Sequence, residues 1–405
     1  MNIPLHISVA SHTRFHMFDL ADQLVRLKQD VRLYTGYPRW KIQSGLRAFA
    51  TTHPLLTLVQ AGLQRIGFQD KRTRIADFVL RDFGHWLGQV IKRCDILDVI
   101  SGCGLEGGRW IQQEDGAWVC NRGSSHILFQ KTNLEEEHTR WGAPLPYFSQ
   151  RGIERELTEY HEADAIAVPS EFAKRTFIEQ GIQPEKIFKL PYGVDLSLFA
   201  PKPKQDSKFR VLFVGSFSIR KGIGYLFEAM KPLVEKGHAE LWLIGKPEPA
   251  ANKILARYKD IFTDMGAHPR KHLADLYSQG SVLVLPSVEE GLALVQIQAM
   301  ACGVPVIATY NTGAEDLFED GKEGFIVPPR EPIAIKELIE RLICNPELQR
   351  GMAKAALNRV KFMGGWDTYG KKCLAMYRKV LSCKWGHTDC CRAHIDPGPK
   401  IPNSN

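Results

Sequence analysis

Glu290 and Gln298 stand eight residues apart in "VLVLPSVEEGLALVQIQAMACGVPVIAT", residues 282–309. An apolar run that reads as a strand leads directly to the carboxylate. Gly291 follows, and the stretch from Leu292 through Ala293 and Leu294 reads as the start of a helix that Gly303 ends and Pro305 keeps from resuming. In open parallel sheets, ligands bind outside the carboxyl ends of the strands. Glu290 is therefore expected on the binding edge, and Gly291 removes a side chain where a ligand presses close. The helix start is expected to aim amide N–H groups and its positive dipole end at an anion. Gln298, two turns further on, leans back toward the helix N-terminus and reaches deeper. A second corner of this kind is "VLFVGSFSIRKG", where Gly215 lets the chain leave a strand tightly and Arg220 with Lys221 presents two cations before a helix starting near Gly222. Two cations, one helix start and one carboxylate describe a pocket for a diphosphate carrying a polyol. A nucleotide sugar fits that description.

These corners need parallel strands to hold them. The first half alternates strand, helix and strand in "LHISVA", "MFDLADQLVRLKQ" and "VRLYTG", the repeating unit of a parallel sheet, and further strands are expected at "CDILDVIS", "AWVCNRG", "DAIAVPS" and "KIFKLPYG". The segment "VDLSLFAPKPKQDSKF", with its prolines and no apolar period, reads as a linker over 194–209. The alternation then restarts with "RVLFVGS", "AELWLIG", "SVLVLPS", "VPVIAT" and "GFIVPP" as strands, and "ANKILARYKDIFTDM" reads as one helix between them. Strands this apolar are buried on both faces, as in a doubly wound sheet. The expected organisation is a first α/β domain over 1–193, the linker, a second over 210–365, a helix over 366–383 and a disordered tail over 384–405.

A chain of 405 residues is too long for a single hydrophobic core, which agrees with two domains. "MNIPLHISVASHTRF" has no basic region ahead of an apolar one, and no run of about 18 apolar residues occurs, so a cytoplasmic protein is expected. Nine cysteines without CxxC spacing suit reduced thiols. Cys383, His387, Cys390, Cys391 and His394 could together hold a metal, but their segment reads more simply as a polar tail. The net charge of +8 is unevenly placed. Between Arg39 and Arg93 ten Lys or Arg (39, 41, 47, 65, 71, 72, 74, 81, 92, 93) face three Asp (70, 77, 82). In the same stretch Leu55, Leu58, Val59, Leu63 and Ile66 fall at helical spacing. Such a stripe either packs on its own domain or rests on an anionic membrane.

Three stretches together carry a resemblance: "ADAIAVPSEFAKRTFIEQGIQPEKIFKLPYGVDLSLFAP", "VGSFSIRKGIGYLFEA" and "LADLYSQGSVLVLPSVEEGLALVQIQAMACGVPVIATYNTGAEDLFEDGKEGFIVPP". They resemble glycosyltransferase family 4, whose members have the GT-B architecture of two Rossmann-like, doubly wound parallel-sheet domains facing across a cleft. The resemblance is dense from about residue 160 to 380. It implies a retaining transfer of a sugar from a nucleoside diphosphate sugar to an acceptor hydroxyl, without a metal or other cofactor. Glu290 corresponds to the first glutamate of the family's Glu-x7-Glu motif, facing the donor sugar, and Gln298 replaces the second, which holds the ribose. Lys221 matches a phosphate-binding lysine. Ser216 stands where an arginine is usual, so Arg220 is expected as the second cation. His126, after "AWVCNRG", matches a histidine near the reacting sugar. The family's glycine-rich first loop is replaced by "SHTRFH", which makes His12, Arg14 and His16 candidate acceptor contacts and leaves Phe15 to packing. The resemblance also implies that the last helix crosses back to the first domain.

No Asp-x-Asp occurs, so no metal–diphosphate clamp of that type is expected. The leaving diphosphate is then met by Arg220, Lys221 and the helix start. The expected partners are a nucleotide sugar, a glycan or lipid-linked acceptor and an anionic membrane surface, with no nucleic acid. The product class is polysaccharide, lipopolysaccharide or glycolipid. Three alternatives stay open: a nucleotide-sugar-binding scaffold that has lost catalysis, a phosphorylase, and a nucleotide-sugar epimerase. A dinucleotide oxidoreductase needs a third glycine that "RKGIGYLF" lacks.

Overall fold

A computed structural model describes residues 3–65 and 72–386. Two all-parallel sheets form the frame. In the first, β1 (His6–Ser11), β2 (Asp30–Thr35), β3 (Ala50–Thr52), β4 (Ile96–Ile100), β5 (Ala117–Asn121), β6 (Ala165–Val168) and β7 (Ile187–Lys189) lie in the order β3-β2-β1-β4-β5-β6-β7. In the second, β8 (Arg210–Phe217), β9 (Glu240–Pro247), β10 (Thr263–Gly266), β11 (Val282–Leu285), β12 (Val306–Thr309) and β13 (Gly324–Val327) lie in the order β10-β9-β8-β11-β12-β13. Each order reverses once, between β1 and β4 and between β8 and β11. That reversal sends successive helices to opposite faces and opens a crevice at the carboxyl ends of the two strands, where doubly wound sheets take their ligands. The central strands β4, β5, β11 and β12 are buried along their whole length.

The sequence reading needs correction in the second domain. "ANKILARYKDIFTDM" is not one helix: it holds a short helix, Asn252–Arg257, followed by the edge strand β10. The polar edge "TDMG" carries no apolar pattern, because none of its four residues is buried. Strand β3 also escaped notice.

The chain crosses between the domains twice, and the two crossings touch. A Cβ on Gly193 would collide with the backbone of Trp366, so only glycine lets them pass so closely. Beyond the second crossing the helix Trp366–Lys384 lies on the first domain. Its Tyr369, Cys373, Met376 and Tyr377 join the core formed by β1, β2 and the helix His16–Arg26. Lys384, read as part of the tail, is still helical and its ammonium lies 3.3 Å from Asp164. His387, Cys390, Cys391 and His394 lie outside the described residues. So do the side chains of Leu63, Arg65, Ile66, Asp70, Lys71, Arg72 and Arg74.

The described residues of the apolar stripe turn outward: Leu55 is 67%, Leu58 36% and Val59 48% exposed. Trp40, 63% exposed, stands on the neighbouring connection between β2 and β3, with Arg39 and Lys41 in the same short turn. No described helix is long and apolar enough to cross a membrane.

Candidate active site

The crevice of the second sheet is built by the connections after β8 and β11. After β8 the chain turns through Ser218–Gly222 into the helix Ile223–Glu235. Gly222 has φ 69° and its α-hydrogen faces the Pro286 carbonyl, where any Cβ would collide, so the turn is locked to the end of β11. That lock fixes the relation between the two connections. Lys221 Nζ pairs with Glu290 Oε1, and Arg220 Nη2 lies 2.8 Å from Glu290 Oε2. Both cations and the carboxylate named from the sequence thus meet at the reversal point.

Glu289, which the sequence reading passed over, decides how the corner faces the first domain. Its side chain is fully buried and accepts from Ser124 Oγ at 2.5 Å, Ser125 Oγ at 2.7 Å, the Ser125 amide at 3.1 Å and Gln130 Nε2 at 3.1 Å, all in the other domain. Arg220 Nε closes the network at 2.9 Å. Burial alone would raise this carboxyl, but Arg220 and the serine hydroxyls outweigh it and hold it at about 2. Burial would lower the Arg220 guanidinium, and Glu290 and Glu289 reverse that and hold it above its usual range. Glu289 therefore ties the domains together, with Arg220 balancing its charge, a role the sequence did not suggest. Two adjacent glutamates after a strand were the available signal. Which one points into the cleft and which across it depends on the partner domain.

Gly291 also differs from expectation. Its open side faces the Gly123 carbonyl of the first domain, where a Cβ would collide, and the Gly291 carbonyl accepts from Ser170 Oγ at 2.6 Å. The missing side chain admits the other domain's backbone at this point. The helix starts at Val295, three residues later than read, and runs only to Ala301. The Glu290 and Ala293 amides donate to the Asn311 and Thr312 carbonyls at 2.9 and 3.1 Å, which holds the intervening residues as a loop. Leu292 and Ala293 bury their side chains in the second domain's core, and Leu294 packs at its border. Gln298 is half-buried and its Oε1 accepts from Tyr277 Oη at 3.1 Å. Ser216 is half-buried near Ser218.

His126 is buried and caps the helix Ile127–Arg140: its Nδ1 accepts from the Leu128 amide at 3.3 Å, and its ring packs on Tyr160 and Phe177 at 5.0 and 4.9 Å between centroids. Burial, aided by the Arg122 charge, lowers it to about 4. A neutral capping histidine in a core explains the residue without a reacting sugar. Of the candidate acceptor contacts, Arg14 is exposed on the connection after β1 and His12 is half-buried, its Nδ1 3.8 Å from Cys103 Sγ. His16 is buried at the start of the helix His16–Arg26, with Nε2 2.9 Å from Asn121 Oδ1. Phe15 is 46% exposed, which corrects its reading as a packing residue. A hollow of about 690 Å³ elsewhere between the domains is lined by Phe129, Asn133, Arg175, Tyr310 and Arg330 and does not include Lys221 or Glu290.

Known proteins are similar to this chain in sequence and fold. Residues 208–345 match the family described as Glycosyl transferases group 1. The MMP alpha-(1->4)-mannosyltransferase of Mycolicibacterium hassiacum is 26% identical over 58% of this chain and 57% of its own length. A D-inositol 3-phosphate glycosyltransferase of Catenulispora acidiphila is 27% identical over 53% and 57%. The aligned part of this chain thus spans little more than half the length of these curated relatives. Among solved structures, sucrose-phosphate synthase from Thermosynechococcus elongatus superposes with a TM-score of 0.68 at 20% identity, covering 93% of this chain and 99% of that one. Anabaena HepE in complex with UDP superposes with a TM-score of 0.68 at 14% identity, covering 92% and 100%. The fold is that of the GT-B glycosyltransferases, and the stretch that matches the Glycosyl transferases group 1 family carries Arg220, Lys221 and Glu290.

Proposed function

We propose that the protein transfers a sugar from a nucleoside diphosphate sugar to an acceptor hydroxyl, with retention at the anomeric carbon and without a metal ion or other cofactor. The observation that carries this reading is the contact of Lys221 with Glu290 at the reversal point of the second sheet, beside the seam with the first domain. A diphosphate entering there competes with Glu290 for the Lys221 ammonium, which has three hydrogens to give. Glu290, released from part of that pairing, accepts from hydroxyls of the attached sugar. Charge developing on the leaving diphosphate then falls on Lys221, with Arg220 behind it, in a site from which the closed domains exclude water. Mycobacterial and actinobacterial relatives named as mannosyl- and inositol-phosphate glycosyltransferases support the reaction class. HepE bound to UDP-glucose, a GT-B neighbour, supports a nucleotide sugar as donor. Release of nucleoside diphosphate from a panel of nucleotide sugars tests the reading.

The acceptor in this proposal is a glycan or lipid-linked glycan of polysaccharide, lipopolysaccharide or glycolipid synthesis, met at the cytoplasmic face of the membrane. Support comes from the outward apolar residues Trp40, Leu55 and Val59 beside Arg39, Lys41 and Arg47. Apolar side chains enter the headgroup region while cations pair with anionic lipid. A second reading, a nucleotide-sugar binder without turnover, is favoured by Gln298, whose amide carries no charge for a ribose and already accepts from Tyr277.

A further inference from the structure

Among the described residues, the first domain holds every member of the segment 288–291 except Glu290. The Val288 carbonyl accepts from Asn133 Nδ2 at 2.7 Å, and the Val288 side chain is buried in a small cluster with Leu134 and Tyr225. Glu289 takes the bonds from Ser124, Ser125 and Gln130. The Gly291 carbonyl accepts from Ser170 Oγ, and its backbone lies against the Gly123 carbonyl. The Glu290 carboxylate instead meets Arg220, Lys221 and Ser287 of its own domain. The sugar-facing group thus stands on a backbone whose flanks are held from the other side of the seam.

One face of the helix Ile127–Arg140 makes most of these contacts. Gln130, Asn133, Leu134 and Glu137 follow at the three- and four-residue spacing that brings side chains together, and each touches the second domain. Glu137 accepts from Tyr225 Oη at 2.7 Å and pairs with Arg330. The orientation of the Asn133 amide is decided by Arg330, whose Nη2 lies 2.6 Å from Asn133 Oδ1 and can only donate. The carbonyl end of the amide therefore faces Arg330, and the NH2 end faces the Val288 carbonyl. That carbonyl also takes Asn311 Nδ2 at 2.8 Å, and the Asn311 carbonyl in turn accepts from the Glu290 amide at 2.9 Å. An amide from each domain meets there, two residues before the sugar-facing carboxylate.

We propose that Asn133 is a positioning residue for Glu290: by donating to the Val288 carbonyl it fixes the turn that aims the carboxylate at the donor sugar. The inference rests on the nucleotide-sugar reading and adds that a helix of the first domain completes the sugar-facing corner of the second. Lys221 and the turn that carries it belong to the second domain, so the grip on a diphosphate does not pass through Asn133. The aim of Glu290 does, and a misplacement of about 1 Å at a reacting centre is enough to slow turnover severely. Asn133 is therefore expected to govern turnover and not diphosphate affinity.

Asn133→Asp tests this, because the carboxylate keeps the shape and the Arg330 contact but puts an oxygen where the Val288 carbonyl needs a donor. Asn133→Leu, which fills the same space without polar groups, is the second variant in case the first folds poorly. Both are expected to bind UDP, GDP and ADP in calorimetry as the wild type does. Both are expected to release nucleoside diphosphate from UDP-glucose, GDP-mannose or ADP-glucose with a kcat about tenfold lower. In a Glu290→Ala background, adding Asn133→Asp is expected to lower release no further, since the group it positions is gone. Unchanged kcat in both Asn133 variants overturns the proposal. Diphosphate affinity that falls together with kcat also overturns it, by placing the effect in the phosphate corner or the fold. A further loss on top of Glu290→Ala overturns it too, since the role of Asn133 would then not pass through Glu290. A wild type that binds none of the diphosphates and releases none removes the nucleotide-sugar reading itself and this inference with it.

Discussion

Lys221 and Glu290 pair directly, and this contact sets the first test. Lys221→Ala is expected to lower turnover about a hundredfold, or roughly 3 kcal/mol of transition-state stabilisation, measured as nucleoside diphosphate release. Undiminished release would take the phosphate role from this lysine. Gln298→Glu keeps an oxygen for Tyr277 and restores a charge, so it is expected to tighten donor binding; unchanged affinity would place the position outside the site. Glu289 gives a pH signature. Its folded value near 2 lies below the ordinary 4.5, so its contribution is fully present above about pH 4.5 and is lost as the pH falls toward 2. Glu289→Gln is expected to cost about 3 kcal/mol at pH 7, and the gap in melting temperature from the wild type should narrow below pH 4.5. A gap independent of pH would contradict the charge network. Residue types and order were enough to name Arg220, Lys221 and Glu290 from the sequence, because chemistry at a strand end needs few partners. Glu289 was passed over and the cap made by His126 was not foreseen, because both depend on burial and on residues far away in the chain: Ser124 and Ser125 for the first, Tyr160 and Phe177 for the second.

At the scale of elements, the strands were legible wherever both faces are buried, as in β4, β5, β11 and β12. Their continuous apolar runs have one good explanation. Edge strands β3 and β10 were not legible, and neither was the late helix start at Val295, which comes from amides captured by the Asn311 and Thr312 carbonyls. For the helix Leu55–Arg65, periodicity gave the stripe but not its direction, since a stripe facing out has the same spacing as one facing in. With Leu55 and Val59 outward, the protein is expected to sediment with phosphatidylglycerol vesicles at low salt and less at high salt. Leu55→Glu with Val59→Glu should abolish the binding. No sedimentation of the wild type at either salt would leave a soluble acceptor as the better reading.

For the molecule as a whole, the two domains are joined at a seam of backbone against backbone, Gly123 on Gly291, flanked by the Glu289 network. Gly291→Ala puts a methyl group into the Gly123 carbonyl. It is expected to cost about 1–3 kcal/mol in melting and to enlarge the radius of gyration measured by small-angle scattering. Unchanged scattering and melting would mean that the seam is not closed in solution. Two domains followed from length and their parallel sheets from the alternation of strand and helix, whereas the strand order and the closed seam did not, because glycine in a sequence does not say what approaches it. The central claim is sugar transfer from a nucleotide donor held by Lys221. The most direct measurement is nucleoside diphosphate release from UDP-, GDP- and ADP-sugars by the wild type and by Lys221→Ala, side by side. The account predicts release above background with at least one donor in the wild type and about a hundredfold less in the variant. Release from none of them, or equal release by both proteins, would contradict it.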